Sequence, residues 1–196
     1  MSLLTLTLIL FFIMDPLGNI HHFLNHIEGI KPTRQRFIII REMLFALIAM
    51  VIFSIIGDSL LSVLALSPET IYIASGVILL LTALKILFSP EERFPRKSNE
   101  EPFLVPLAIP IIAGPALLAT VMLFSNTEPS VVMMMSAIFI AWIASSILLL
   151  FSKQILNVLG TGGLTACERL VAMVLVLLSV QRIAQGVLIF LGQHSG

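Results

Sequence analysis

The chain has 196 residues, 58% of them hydrophobic and only 11% charged, with zero formal net charge and a mean hydropathy of +1.08. Soluble domains carry roughly a quarter charged residues, so this composition cannot build a water-facing surface and calls for lipid as its solvent. The balanced charge removes the basic footprint that nucleic-acid binding needs. The single cysteine, Cys167, excludes an intramolecular disulfide and a multi-cysteine metal site, and reads as a small packing residue.

A membrane-spanning helix needs about 20 mostly apolar residues, and six segments meet that requirement. The first runs from about Ser2 to Ile27 and is interrupted by Asp15-Pro16-Leu17-Gly18-Asn19. No Lys or Arg precedes Lys31 and no small-residue cleavage site is visible, so this segment reads as a span of the mature protein. The second runs from about Phe37 to Ile56, with Arg41 and Glu42 near its start. The third covers about Pro68 to Phe88. The fourth, about Phe103 to Phe124, is interrupted by Pro106, Pro110, Gly114 and Pro115. The fifth covers about Val131 to Phe151 and the sixth about Glu168 to Leu191.

The connectors are short and polar, and the longest, Ser89 to Pro102, divides the chain near its middle. Halves 1–88 and 103–196 then form one transmembrane domain joined by connector 89–102. Lys and Arg mark cytoplasmic loops. Connector one holds Lys31, Arg34 and Arg36; connector three holds Arg93, Arg96 and Lys97, with Lys85 at its edge; connector five is bordered by Lys153 and Arg169. Connectors two and four have none, which puts the odd connectors in the cytoplasm and both termini outside.

Three spans per half means that the second half enters the membrane from the opposite side. The expected fold is therefore all-α, six spans arranged as two inverted three-helix repeats. The first span of each half breaks near its middle, at Asp15-Pro16 and at Gly114-Pro115. The run from Gly76 to Lys85 also aligns with that from Ala172 to Gln181. Paired Gly/Pro interruptions at corresponding positions are the best sequence pointer to a transporter's binding site.

In Asp15-Pro16-Leu17-Gly18-Asn19, Asp is a favoured N-cap and Pro a favoured first helical residue. The motif predicts a half-helix starting at depth, whose N–H groups and dipole attract anions. Gly114-Pro115 reads the same way, with Thr120 about a turn and a half further along. The substrate-binding residues expected here are Asp15, Gly18, Asn19, Gly114, Pro115 and Thr120. Asp15 is the only acid before Glu28, and an ionisable group within a span is a functional candidate by default. Asp15 is thus the first candidate for holding an ammonium group, a proton or Na⁺, and Glu42 is the second coupling candidate. The competing reading is a kinked helix with capped turns and no ligand.

The other polar residues have plainer readings. Arg41 and Glu42 are adjacent and project in different directions; Arg41 snorkels to the interface, while Glu42 seeks a basic partner on another helix. Lys85 and Arg182 are interfacial anchors near helix ends. Glu168 caps the start of the last span, favoured by the dipole. His21, His22 and His26 lack the ligand set of a metal site. Trp142, Ser75-Gly76 and Ser145-Ser146 read first as packing residues. No catalytic triad or nucleotide loop is present, so the chain reads as a non-enzyme without a cofactor.

The segments IMDPLGN (Ile13 to Asn19), RE with the apolar run after it (Arg41 to Ile48), EEPFLVPLAIPIIAGPALLAT (Glu100 to Thr120) and ERL (Glu168 to Leu170) resemble the MarC/SnatA family of bacterial inner-membrane proteins, and within it the YhgN-type members. With their spacing they cover nearly the whole chain. The resemblance implies a six-span bacterial inner-membrane protein associated with transport of small neutral amino acids; the family's older link is to antibiotic resistance. The chain departs from many relatives in carrying Ala116 after Gly-Pro, Ala172 in the last span, and Gly76-Val77 where relatives pair two glycines. Added methyl groups there bear on substrate choice more than on fold.

The expected function is secondary transport or export of small neutral amino acids, coupled to H⁺ or Na⁺. The alternatives are efflux of amphipathic drugs and a non-transporting scaffold that docks through Ser89 to Pro102. Substrate identity, coupling ion, flux direction and oligomeric state are left open.

Overall fold

The computed structural model describes residues 2–20, 32–63, 65–88, 114–127 and 130–194. All regular structure among them is helical: α1 (Leu3–Met14), α2 (Pro32–Val63), α3 (Pro68–Phe88), α4 (Pro115–Thr127), α5 (Val131–Leu150) and α6 (Ser152–His194), with a short helical stretch at 16–20. Five stretches among the described residues are long and apolar enough to cross a membrane: Leu3–Ile20, Arg34–Gly57, Pro68–Phe88, Val131–Leu150 and Ser152–Gly192. The helix α4 is shorter, and the first part of the expected fourth span lies outside the described residues. So do His21, His22, His26, Glu28, Lys31 and connector 89–102.

Helix boundaries follow local chemistry. Ser2 caps α1 by accepting the Thr5 N–H at 3.2 Å, and Ser130 caps α5 by accepting that of Met133 at 3.2 Å. At α3, Ser67 precedes Pro68 at the first helical position, and the Ser67 carbonyl receives the N–H groups of Thr70 and Ile71. The 32-residue α2 is longer than the expected second span. At 1.5 Å per residue it measures roughly 48 Å, against a hydrocarbon core of about 30 Å.

The last span differs more from expectation. A single helical run extends from Ser152 to His194, broken only at Gly160 (φ 68°, ψ 174°), a left-handed backbone that favours glycine. The expected fifth connector is therefore helical. Glu168 lies two turns beyond the break and does not cap the helix start, because Thr161 to Ala166 continue the helix despite two glycines.

Large apolar side chains cover the outside, as lipid permits: Leu4, Phe37, Ile55, Leu81, Phe88, Leu177 and Leu188 are all exposed. Lipid supplies little drive for helices to associate, so close approach at small residues and polar contacts must do so. The most extensive pairing is α3 with α6. A Cβ on Gly76 would meet Ile183 Cγ1 at 2.7 Å and the Ser179 carbonyl oxygen at 3.0 Å. Reciprocally, one on Gly186 would meet Ile73 Cγ1 at 2.7 Å and the Glu69 carbonyl oxygen at 2.9 Å. Gly76 and Gly186 lie on two heptad-spaced buried rows, Glu69, Gly76 and Ala83 on α3 and Ala172, Ser179 and Gly186 on α6. The pairing is antiparallel, and each helix offers a glycine to the other's backbone.

A second close approach joins α2 to α4, where a Cβ on Gly57 would lie 3.1 Å from the Met122 Cα and the Ser54 and Ser125 hydroxyls meet at 2.6 Å. The helices α1, α2, α4 and α5 share one apolar core around Leu10, Met14, Met43, Met50, Leu117 and Ile138.

Candidate functional site

The first break is a compact, self-satisfied turn. Asp15 adopts a left-handed conformation (φ 43°, ψ 60°), its own N–H closing α1 onto the Phe12 carbonyl at 3.1 Å. Asp and Asn tolerate this region better than most residues. The Asp15 side chain then serves the next helix: Oδ1 accepts the Gly18 N–H at 3.0 Å, and the Asp15 carbonyl accepts the Asn19 N–H at 3.1 Å. One residue thus ends one helix and starts the next. Buried Asn19 completes the turn by donating from Nδ2 to the Met14 carbonyl at 2.9 Å. Gly18 leaves room for the cap, because a Cβ there would meet the Asp15 carboxylate and push it from its capping position.

The start of α4 repeats part of this turn with a different cap. The Gly114 carbonyl accepts the N–H groups of Leu117 at 2.9 Å and Leu118 at 3.1 Å, and Pro115 occupies the first helical position. The bond from Leu118 to Gly114 repeats the one from Asn19 to Asp15. Gly114, however, has no side chain to spend on the helix N-terminus. Thr120 is buried, and its hydroxyl donates to the Ala116 carbonyl at 2.5 Å, which leaves it able to accept.

The turn at Asp15 and the start of α4 are linked through shared apolar clusters. Phe12, Ile13 and Leu17, which flank Asp15, lie against the apolar cluster that contains Ala116, Ala83 and Leu175. Met14 and Leu117 share the larger core, and Ser145 of α5 points its hydroxyl at the Met14 sulfur, 3.6 Å away. The carboxylate of Glu168, on α6, lies within electrostatic range of Asp15. Residues flanking Asp15 and residues following Pro115 thus share two apolar clusters, with Ser145 on Met14 and Glu168 within electrostatic range of Asp15, while Thr120 turns its hydroxyl back to its own helix. A carboxylate can bind a cation, and an N-terminus without a side-chain cap favours an anion. Sequence reasoning missed Ser145 and Glu168 as neighbours of the break; the ERL segment was the signal for Glu168.

Other expected sites lie differently. Glu42 is buried but does not reach another helix: Arg41 Nη2 and Nε donate to its Oε1 at 2.7 and 3.1 Å. The long Arg stem lets neighbouring residues meet although their Cβ atoms diverge. The indole N–H of Trp142 donates to the Met43 carbonyl at 2.7 Å and ties α5 to α2. Arg182 is no interfacial anchor; it is 4% exposed, with Nη1 3.4 Å from Ser75 Oγ. A hollow of about 220 Å³, lined in part by Ser62, Ile71, Leu123 and Asn126, lies at the end of α4 remote from Pro115.

A family profile described as MarC family integral membrane protein matches residues 1–191. The chain belongs to the MarC family. Among relatives of this MarC chain is the inner membrane protein YhgN of Escherichia coli K12, 38% identical over 95% of this chain and 96% of its own length. A UPF0056 membrane protein of Buchnera aphidicola from Baizongia pistaciae is 40% identical over 95% of this chain and 96% of that one. A further relative, from Chlamydia pneumoniae, is 33% identical over 94% and 93%. No solved structure matches this MarC chain.

Proposed function

We propose that this MarC-family chain is a secondary transporter of small neutral amino acids in the bacterial inner membrane, coupled to H⁺ or Na⁺, with its solute held where the two broken helices meet. The observation that supports the reading is a pair of unlike helix starts linked through one apolar cluster: a carboxylate-capped turn at Asp15 and an N-terminus at Gly114-Pro115 where Gly114 brings no side chain. A zwitterion complements that pair, its ammonium toward Asp15 and Glu168 and its carboxylate toward the α4 N-terminus. Broken helices with dipole ends at the substrate recur in transporters built from inverted repeats. The reciprocal glycine contacts of α3 and α6 fit such a repeat, because a two-fold axis in the membrane plane relates antiparallel helices. The amino-acid class comes from the family resemblance, and the outward termini from the Lys and Arg distribution.

The test is radiolabelled alanine, threonine and glycine flux in proteoliposomes under imposed H⁺ or Na⁺ gradients, comparing the native chain with Asp15→Asn. Asn still caps a helix and tolerates the left-handed region, so the variant removes charge while keeping the turn. The expected result is gradient-driven flux that the variant loses. Folded native protein without flux under either gradient overturns the reading.

A further inference from the structure

Arg182 lies in the second half of the portion of α6 beyond Gly160, buried where α3 and α4 pack. Its guanidinium carbon sits 5.2 Å from the centroid of the Phe124 ring, and its polar contact is the long one from Nη1 to Ser75 Oγ at 3.4 Å. Among the described residues it makes no ion pair. Glu69, the nearest acid along α3, is buried against Gly186 on the adjoining turn of the seam and is not its partner. A guanidinium has five N–H donors in a planar fork. A charge inside a span is costly, and those that persist face an interior site or an ion. A ring face stabilises the plane of the cation, and the Ser75 contact occupies one of the donors at its edge.

We propose that Arg182, held between Ser75 and Phe124, binds the carboxylate of a small solute at a station separate from the helix breaks. The fork matches a carboxylate's two oxygens bidentately, a geometry that no spherical anion offers. The separation is read along the helices. Phe124 lies nine residues from Pro115, about 14 Å along α4, and Arg182 lies fourteen from Glu168, about 21 Å along α6. The hollow at that end of α4 is lined in part by Leu123, the chain neighbour of Phe124. That the solute is an amino acid rests on the transport reading; the carboxylate site does not.

The experiment uses the full chain in lipid nanodiscs, with thermal stability and equilibrium binding of radiolabelled alanine and propionate as readouts. Propionamide and chloride are the controls. Native protein is expected to be stabilised by alanine and propionate and not by propionamide or chloride. Arg182→Gln should lower propionate affinity at least ten-fold. Arg182→Lys, which keeps the charge but not the fork, should fall between them and serves if the Gln variant does not fold. Unchanged propionate binding in either folded variant, or equal stabilisation by chloride, overturns the proposal. Propionate binding that depends on Arg182 in a protein that moves no amino acid would sustain the site and sink the transport reading. Coupled flux with unaltered binding in the Arg182 variants would do the reverse.

Discussion

Gly186→Ala tests whether the α3–α6 seam is as close-packed as its geometry implies. In a helix interior, replacing Gly by Ala gains about 1 kcal/mol of propensity. At Gly186 that gain is opposed, since the new Cβ would lie 2.7 Å from Ile73 Cγ1 and 2.9 Å from the Glu69 carbonyl oxygen. The isoleucine can rotate but the carbonyl belongs to the α3 backbone, so relief requires the helices to separate. Overpacking of this kind costs about 1–3 kcal/mol, leaving a net loss of about 0–2 kcal/mol after the propensity gain. Gly162→Ala, also within α6, is the control, because a Cβ there has nothing within 4 Å. The steric cost is the difference between the two variants, about 1–3 kcal/mol, measured by SDS titration in bicelles with Trp142 fluorescence as the signal. Equal stability of the two variants would refute the reasoning, because it would mean that the helices part at no cost. Gly76→Ala should behave like Gly186→Ala, and the double variant should cost less than the sum, since either methyl group opens the same seam.

Four further outcomes are expected. Asp15→Ala should lose about 1–2 kcal/mol from the missing cap and a similar amount from a left-handed alanine, whereas Asp15→Asn should stay near native in the same titration. Gly114→Asp should cap α4 from within, raising stability by roughly a few tenths of a kcal/mol while abolishing alanine flux, as measured in proteoliposomes. Trp142→Phe removes the donor to the Met43 carbonyl and should cost about 1–2 kcal/mol, followed by circular dichroism because the only tryptophan is gone. A double-mutant cycle of Ser54→Ala and Ser125→Ala should give a coupling of about 0.6 kcal/mol; zero coupling would show that the 2.6 Å contact contributes nothing between helices.

The third and fifth spans were legible almost to the residue because their ends carry strong local signals, Ser67-Pro68 and Ser130. The break at Asp15-Pro16 and the helix start at Pro115 were legible for the same reason: Pro fixes a backbone angle wherever it occurs. The onset of α6 was not, because the weakly apolar run from Gly160 to Ala166 resembles a loop by composition yet continues as helix after one glycine-adopted turn. The Arg41–Glu42 pair was misread because helix spacing fixes Cβ directions and not the reach of a long side chain. Arg182 was misread because distance from a helix end does not determine burial. Gly76 and Gly186 bring α3 so close to α6 that Ser75 and its neighbours cover the guanidinium, and that approach depends on two glycines 110 positions apart in the chain.

On the proposed reading, the difference between the two breaks matters as much as their likeness. A pair of identical breaks would present two equivalent helix N-termini and would suit a symmetric dianion. Here Asp15 satisfies one of them with its own carboxylate, which turns a half-helix that would attract anions into the acidic side of the neighbourhood. Gly114 leaves the other without a side-chain cap. One residue thus gives the pair a polarity that its backbone plan lacks, and a zwitterion has the same polarity. The fit also limits size: Ala116 and Leu117 at the α4 N-terminus are packed against residues flanking Asp15, so a solute that inserts there must displace side chains in proportion to its bulk. Flux should therefore fall from glycine and alanine to leucine. An Ala116→Gly variant, which removes a methyl group from that contact, should shift the preference toward larger solutes without altering the ion dependence set at Asp15.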